Sequence, residues 1–215
     1  MKNLNILYMI KQKIKKKLVF LGDPNSVNVE LITKSFNFLK NKVYYILICN
    51  KKDLFKSQFF KKSKIKVNEI LNPFTFDSYN KNCLNIFNVE NISNRKDLIL
   101  LNQIKICNEI ANFTNLDLIT MPVNKAVFKK KNKFIGMTEY LGQLNKKTTV
   151  MLMCGDKFSI IPITTHINLK NIYKIIETNY ISSILKKILI FLSDPNFIKS
   201  FKEIKFLCYN PHCSE

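Results

Sequence analysis

Histidine is nearly absent from this chain: among 215 residues there are two, His166 and His212. Neutral imidazole is the commonest metal ligand and the usual acid or base near neutral pH, so the search for that chemistry narrows to two positions. Arginine is scarcer still, with Arg95 alone. That argues against a nucleic-acid partner, because arginine is the residue suited to bidentate phosphate and base contacts. Four dispersed glycines leave no Gly-x-Gly-x-x-Gly turn and no P-loop, so a classical dinucleotide loop is excluded. The six cysteines include no C-x-x-C pair, which removes the usual zinc-cluster spacing. Most lie in apolar runs as small hydrophobes, and with no export signal disulfides are not expected. No run approaches the roughly eighteen apolar residues of a membrane span. The basic start carries an apolar piece, residues 6–10, too short for a secretory signal. The expected location is cytoplasmic, with no membrane partner.

What is present is lysine, in excess: the formal net charge is +20. The lysines are spread through every segment alongside abundant Asn, Ile and Phe, a pattern of A/T-rich coding bias and solvated faces more than of a phosphate-binding stripe. Hydrophobic residues make up 47% of the chain and aromatics 12%, enough for a globular core in one or two domains.

Short β-branched runs alternate with stretches of helical period, the signature of α/β units around a mostly parallel sheet. Strands are expected over residues 17–22, 43–49, 84–89 and 116–121. Helices are expected over 27–39, 53–60, 96–113 and 138–144. In the helix at 96–113 the residues Leu100, Leu101, Ile104, Cys107 and Ala111 recur at helical spacing. Residues 61–81 carry no readable period. Further on come a hairpin, 150–154 with 158–164 around Gly155-Asp156, helices over 169–176 and 181–192, and a strand over 204–208. Residues 1–16 read as a basic N-terminal extension and 17–215 as the α/β region, a first domain and the start of a second.

Chemistry is expected where strands end. The turn Gly22-Asp23-Pro24-Asn25-Ser26 lies between a strand and a helix, where open α/β sheets bind ligands; it is equally an ordinary βα turn with Ser26 or Asn25 as helix cap. Pro122-Val123-Asn124-Lys125 also follows a strand, and Lys125 offers a point charge to a phosphate or stands as a solvated lysine. His166 and His212 each follow a β-rich run. Two imidazoles can share a divalent metal, although catalytic sites usually have three protein ligands. By spacing alone both readings stay open.

Taken in order, Gly22-Asp23-Pro24 with Glu30-Leu31, Pro122-Val123-Asn124-Lys125, Gly136-Met137-Thr138-Glu139-Tyr140-Leu141, Thr164-Thr165-His166-Ile167-Asn168-Leu169 and Asn210-Pro211-His212 resemble the 4-hydroxythreonine-4-phosphate dehydrogenase family of vitamin B6 biosynthesis. The resemblance runs from about residue 17 onward. It implies an α/β fold like that of isocitrate and isopropylmalate dehydrogenases, and a homodimer with interfacial active sites. It implies oxidation of the phosphorylated substrate 4-phosphooxy-L-threonine by NAD or NADP, with decarboxylation to 3-amino-2-oxopropyl phosphate. It further implies a divalent cation, Zn, Mg or Co, with His166 and His212 among its ligands, and substrate contacts at positions 137 and 138. Asp23, Asn124 and Lys125 are expected near that site.

The chain departs from the family in three ways. Met137 stands where the family has histidine, leaving Thr138 as the surviving polar contact. Asn25, Ser26, Val27 and Asn28 replace the family's extra glycines. Family chains continue past the Asn-Pro-His segment with a third metal histidine and further substrate and NAD contacts. The expectation is therefore a chain lacking the family's C-terminal part and with little or no activity alone. The alternative class is a catalytically inactive remnant or interaction protein of the same fold.

Overall fold

Five apolar segments pair into one fully parallel sheet in a computed structural model that describes residues 15–128, 134–165, 167–174, 176–193, 204–205 and 207. The first unit spans residues 1–147. Its strands are β1 (Lys15–Phe20), β2 (Val43–Cys49), β3 (Val67–Glu69), β4 (Leu84–Asn88) and β5 (Asp117–Thr120), in the order β3-β4-β2-β1-β5. Register is fixed by pairs such as Val19 with Leu47, Val19 with Ile119 and Ile48 with Phe87. β1 begins inside the expected basic extension, where Lys15 and Lys16 align with Val43 and Tyr44. Lys17 forms an ion pair with Asp117 across the β1–β5 pair.

Alternation along the strands sends side chains to two cores. Val19, Leu21, Leu47, Cys49, Leu84 and Ile86 face Val29, Ile32 and Phe36 of α1 (Asn28–Leu39), Leu54 of α2 (Lys51–Lys56) and Phe60 of α3 (Gln58–Ser63). Leu18, Phe20, Ile46 and Ile48 face Leu100, Ile104, Cys107 and Ile110 of α4 (Lys96–Thr114). The half-buried Met137, Tyr140, Leu141 and Leu144 of α5 (Met137–Leu144) join that second core. The period of 3.6 in α4 is thus set by what its stripe buries, and each fully buried aliphatic side chain contributes about 1.5–3 kcal/mol. α4 ends at Asn115, whose left-handed backbone (φ 52°) and N–H to the Ala111 carbonyl close the helix.

The expected elements appear with shifted edges. The single helix expected over 53–60 is two short helices, because Asn50 caps the first by accepting from the Asp53 N–H at 3.2 Å and Ser57 is extended between them. Within the unread stretch 61–81 lie the end of α3, strand β3 and a long loop. Asn85 on β4, 1% exposed, organises that loop: its Oδ1 accepts from Asn68 Nδ2 (2.8 Å) and Asn80 N–H (2.9 Å), and its Nδ2 donates to the Asn80 and Cys83 carbonyls (2.9 Å each).

The second unit spans residues 148–215. It holds an antiparallel pair, β6 (Met153–Cys154) and β7 (Ser159–Ile160), a 3-10 turn at Leu169–Lys174 where a longer helix was expected, and α6 (Thr178–Leu192). Tyr180 Oη donates to the Ile163 carbonyl at 3.2 Å. Of the strand expected over 204–208, residues 204, 205 and 207 are described and none is in a strand. No helix among the described residues is long and apolar enough to cross a membrane.

Candidate functional site at the carboxyl ends of the strands

The chain winds in two directions from its central strands. β1 leads through α1 to β2, whereas β4 leads through α4 across the opposite face to β5, beyond β1. Right-handed crossovers require that reversal to switch faces, and the loops leaving β1 and β5 consequently part to opposite sides. Such a parting opens a crevice in α/β sheets. Here a single side chain ties it shut.

Asn28, fully buried in the first turn of α1, donates through Nδ2 to the Leu21 carbonyl at 2.8 Å and the Pro122 carbonyl at 2.7 Å. It joins the ends of two strands, reaching a carbonyl 94 positions further along the chain. Its Oδ1 is buried with no partner among the described residues. Gly22 passes beneath with φ +72°, a conformation that side chains rarely adopt. Asp23, 5% exposed, folds the turn back on itself by accepting the Asn25 N–H at Oδ1 (2.9 Å). Of the expected caps, Ser26 Oγ accepts the N–H of Asn28, the first residue of α1 (3.3 Å), and donates to the Asp23 carbonyl (2.6 Å), while Val27 stands at the N-cap position with no side-chain bond.

One strand over, above β1 and β2, a cavity of about 160 Å³ remains open. Its walls are Leu21, Gly22, Pro24 and Asn25 of the turn, Cys49, Asn50, Asp53 and Lys56 from β2 and α2, and Lys96, Ile99, Leu100 and Gln103 from α4. The last four, at i, i+3, i+4 and i+7, form one helical face. Lys96 Nζ lies 2.8 Å from Asp23 Oδ2. The cavity is smaller than the roughly 300–1,000 Å³ of ordinary cofactor sites and accommodates a group of few atoms, not a dinucleotide. Lys96 and Gln103 went unread in the sequence. A polar residue three positions after Leu100, on a stripe otherwise destined for burial, is the signal that marks Gln103.

The other described site residues lie on the segment that runs from β5 into α5. Asn124 accepts the Ala126 N–H at 3.0 Å and so caps the 3-10 turn Lys125–Val127, leaving Lys125 exposed. Met137 opens α5 after Gly136 and turns its side chain to the apolar cluster that also holds Val123, Phe128 and Phe134. Thr138 follows, half-buried. His166 and His212 lie outside the described residues. Among the described residues, no three His, Cys, Asp or Glu side chains are grouped to hold a metal ion.

Burial sets the thiol chemistry of the site. Cys49, on the cavity wall and 1% exposed, is pushed up to about 12 from 9.0, first by burial and then by Asp53 and Glu69. Burial likewise pushes Cys107 well up. A raised thiol value favours the folded protein below the unfolded value, and that contribution is lost as pH climbs from 9 through the folded value near 12. At about pH 8, where the thiolate is the reactive form, the exposed Cys154 is expected to alkylate at least roughly a hundredfold faster than Cys49 or Cys107 in native protein. Pulsed labelling with mass spectrometry measures this, and equal native rates for Cys154 and Cys49 would contradict the burial.

The family model for pyridoxal phosphate biosynthetic protein PdxA matches residues 29–215. The 4-hydroxythreonine-4-phosphate dehydrogenase of Aquifex aeolicus is 29% identical over 217 residues, covering 94% of this chain and 64% of its own length. Crystal structures of the enzyme so named from Klebsiella pneumoniae and Burkholderia phymatum, each 19% identical, superpose with TM-scores of 0.69 and 0.66. They cover 85% and 80% of this chain, and 60% and 56% of their own. At that identity the likeness establishes the fold, the expected α/β architecture. The chain spans just under two thirds of the length of these curated relatives.

Proposed function

Because this chain belongs to the family of pyridoxal phosphate biosynthetic protein PdxA, we propose that it serves the NAD-dependent, divalent-metal-assisted oxidation of 4-phosphooxy-L-threonine, with decarboxylation to 3-amino-2-oxopropyl phosphate. The observation that carries the reading is the family match across residues 29–215, which spans the ordered motifs from Glu30-Leu31 to Asn210-Pro211-His212. A dehydrogenase of this kind works as a homodimer with sites at the subunit interface, and that assembly belongs to the proposal.

The residues divide the work. Thr138, in the first turn of α5, offers a hydroxyl to the substrate, while Met137 supplies apolar packing in place of a donor. His166 and His212 would hold the divalent ion, which when bound acts as a Lewis acid on the substrate hydroxyl. The nicotinamide cofactor enters through the family, not through the small cavity above β1 and β2.

Titration of the protein with zinc or cobalt, read by calorimetry or the cobalt spectrum, tests the ligand assignment without any need for turnover. His166→Ala is expected to weaken binding at least roughly tenfold. Identical affinity in the wild type and the variant removes His166 from the metal site and with it the main chemical support for the proposal. NADH formation from 4-phosphooxy-L-threonine then tests the reaction itself.

A further inference from the structure

The cavity above β1 and β2 is lined by Asp53, Lys56 and Lys96, with Asp23 behind it as the partner of Lys96, and the bookkeeping of their hydrogen bonds tells which are already engaged. Asp23 is satisfied at both oxygens, Oδ1 by the Asn25 N–H and Oδ2 by Lys96. Asp53 is satisfied likewise, Oδ1 by Lys56 at 3.2 Å and Oδ2 by Asn91 Nδ2 at 3.1 Å. Asn50 is largely engaged, its Oδ1 capping α2 and one Nδ2 hydrogen bonded to the Val89 carbonyl at 3.0 Å. What remains are donors. An ammonium carries three N–H groups, so Lys96 and Lys56 each retain two after their carboxylate bond.

Gln103 supplies the second, independent observation. It is 5% exposed, lines the cavity, and its side-chain amide has no hydrogen-bond partner among the described residues. The residue is almost wholly buried but its amide atoms are not, so the open part of the side chain is the amide, and it can bond a ligand that enters the cavity. α4 starts on the same wall, at Lys96.

We infer that this cavity binds a small oxyanion, of the size of a phosphate or phosphoryl group, between Lys96, Lys56 and the Gln103 amide. The inference does not depend on the reaction proposed above, and neither His166 nor Thr138 takes part in it. A metal cation does not suit the site, since both carboxylates are engaged and no three-ligand acidic or imidazole cluster exists among the described residues.

The test is a titration of the whole 215-residue chain with inorganic phosphate, followed by NMR on the Gln103 side-chain amide and the Ile99 backbone amide. Saturable shifts at both are expected in the wild type. Lys96→Met and Gln103→Glu are expected to weaken phosphate binding about tenfold or more, the second by placing a like charge in the cavity. Thermal melts establish that each variant is folded; Gln103→Glu stands as the decisive one if Lys96→Met, which strips Asp23 of its partner, does not fold. A parallel titration with AMP separates sources: tighter binding than free phosphate indicates the phosphoryl group of a larger molecule, and equal or weaker binding indicates the free anion. No saturable shift in the wild type, or unchanged affinity in the folded Gln103→Glu protein, overturns the inference.

Discussion

Gly22→Ala is expected to destabilise the first unit by about 2–4 kcal/mol, with a matching drop in the denaturant midpoint. Two costs combine. The left-handed backbone at φ +72° penalises any side chain by about 1–2 kcal/mol. The added Cβ would also lie 2.7 Å from the Pro122 carbonyl oxygen, 2.9 Å from Asn28 Nδ2 and 3.2 Å from the Met121 carbonyl oxygen. Two of those atoms are backbone at the end of β5, so relief requires moving the strand end and breaking the Asn28 tie between β1 and β5. Urea unfolding of the variant, and of the double variant with Asn28→Ala, checks the mechanism. Asn28→Ala removes one of the three crowded atoms, so the two losses are expected to fall short of additivity. A single-variant loss below about 0.5 kcal/mol would mean that the turn relaxes freely and that the close approach does not constrain it.

Asn85→Ala is expected to cost a similar amount, about 2–4 kcal/mol, by a different route. The Asn85 amide makes four hydrogen bonds from a position 1% exposed, and its removal strands the Asn80 N–H, the Asn68 amide and two carbonyls. The loop between β3 and β4 covers the second core through Ile70 and Phe76, so its loosening uncovers apolar surface as well. Hydrogen exchange is the sharper measurement. Protection is expected to fall first at Asn80 and Cys83 while the β1 and β2 amides stay slow. Uniform loss across the sheet would show instead that Asn85 acts on global stability and not on the loop.

Much of this arrangement was legible before any coordinates. Runs such as Val43–Cys49 read as strands because fully buried parallel strands are apolar on both faces, and α4 read as a helix because its stripe repeats at 3.6. The loop over 70–83 was not legible, since a single amide organises it and an amide leaves no period in a sequence. Gly22 was marked as part of a strand-to-helix turn, and the structure places that turn where the reading put it. Of the expected caps, Ser26 does accept the first helical N–H, but from one position before the N-cap Val27, and the Asn25 N–H is itself bonded to Asp23.

The order of motifs by itself determined the family, because residue identity at spaced positions is a property of the chain, not of its folding. Composition determined the absence of a glycine-rich dinucleotide turn for the same reason. Only the tertiary structure decided that Asn28 would close the β1–β5 crevice, and that Lys96 and Gln103 would border the cavity that stays open. Those outcomes depend on strand order and on which carbonyls come within about 3 Å of an amide, a distance that hydrogen bonding enforces and that no local pattern encodes.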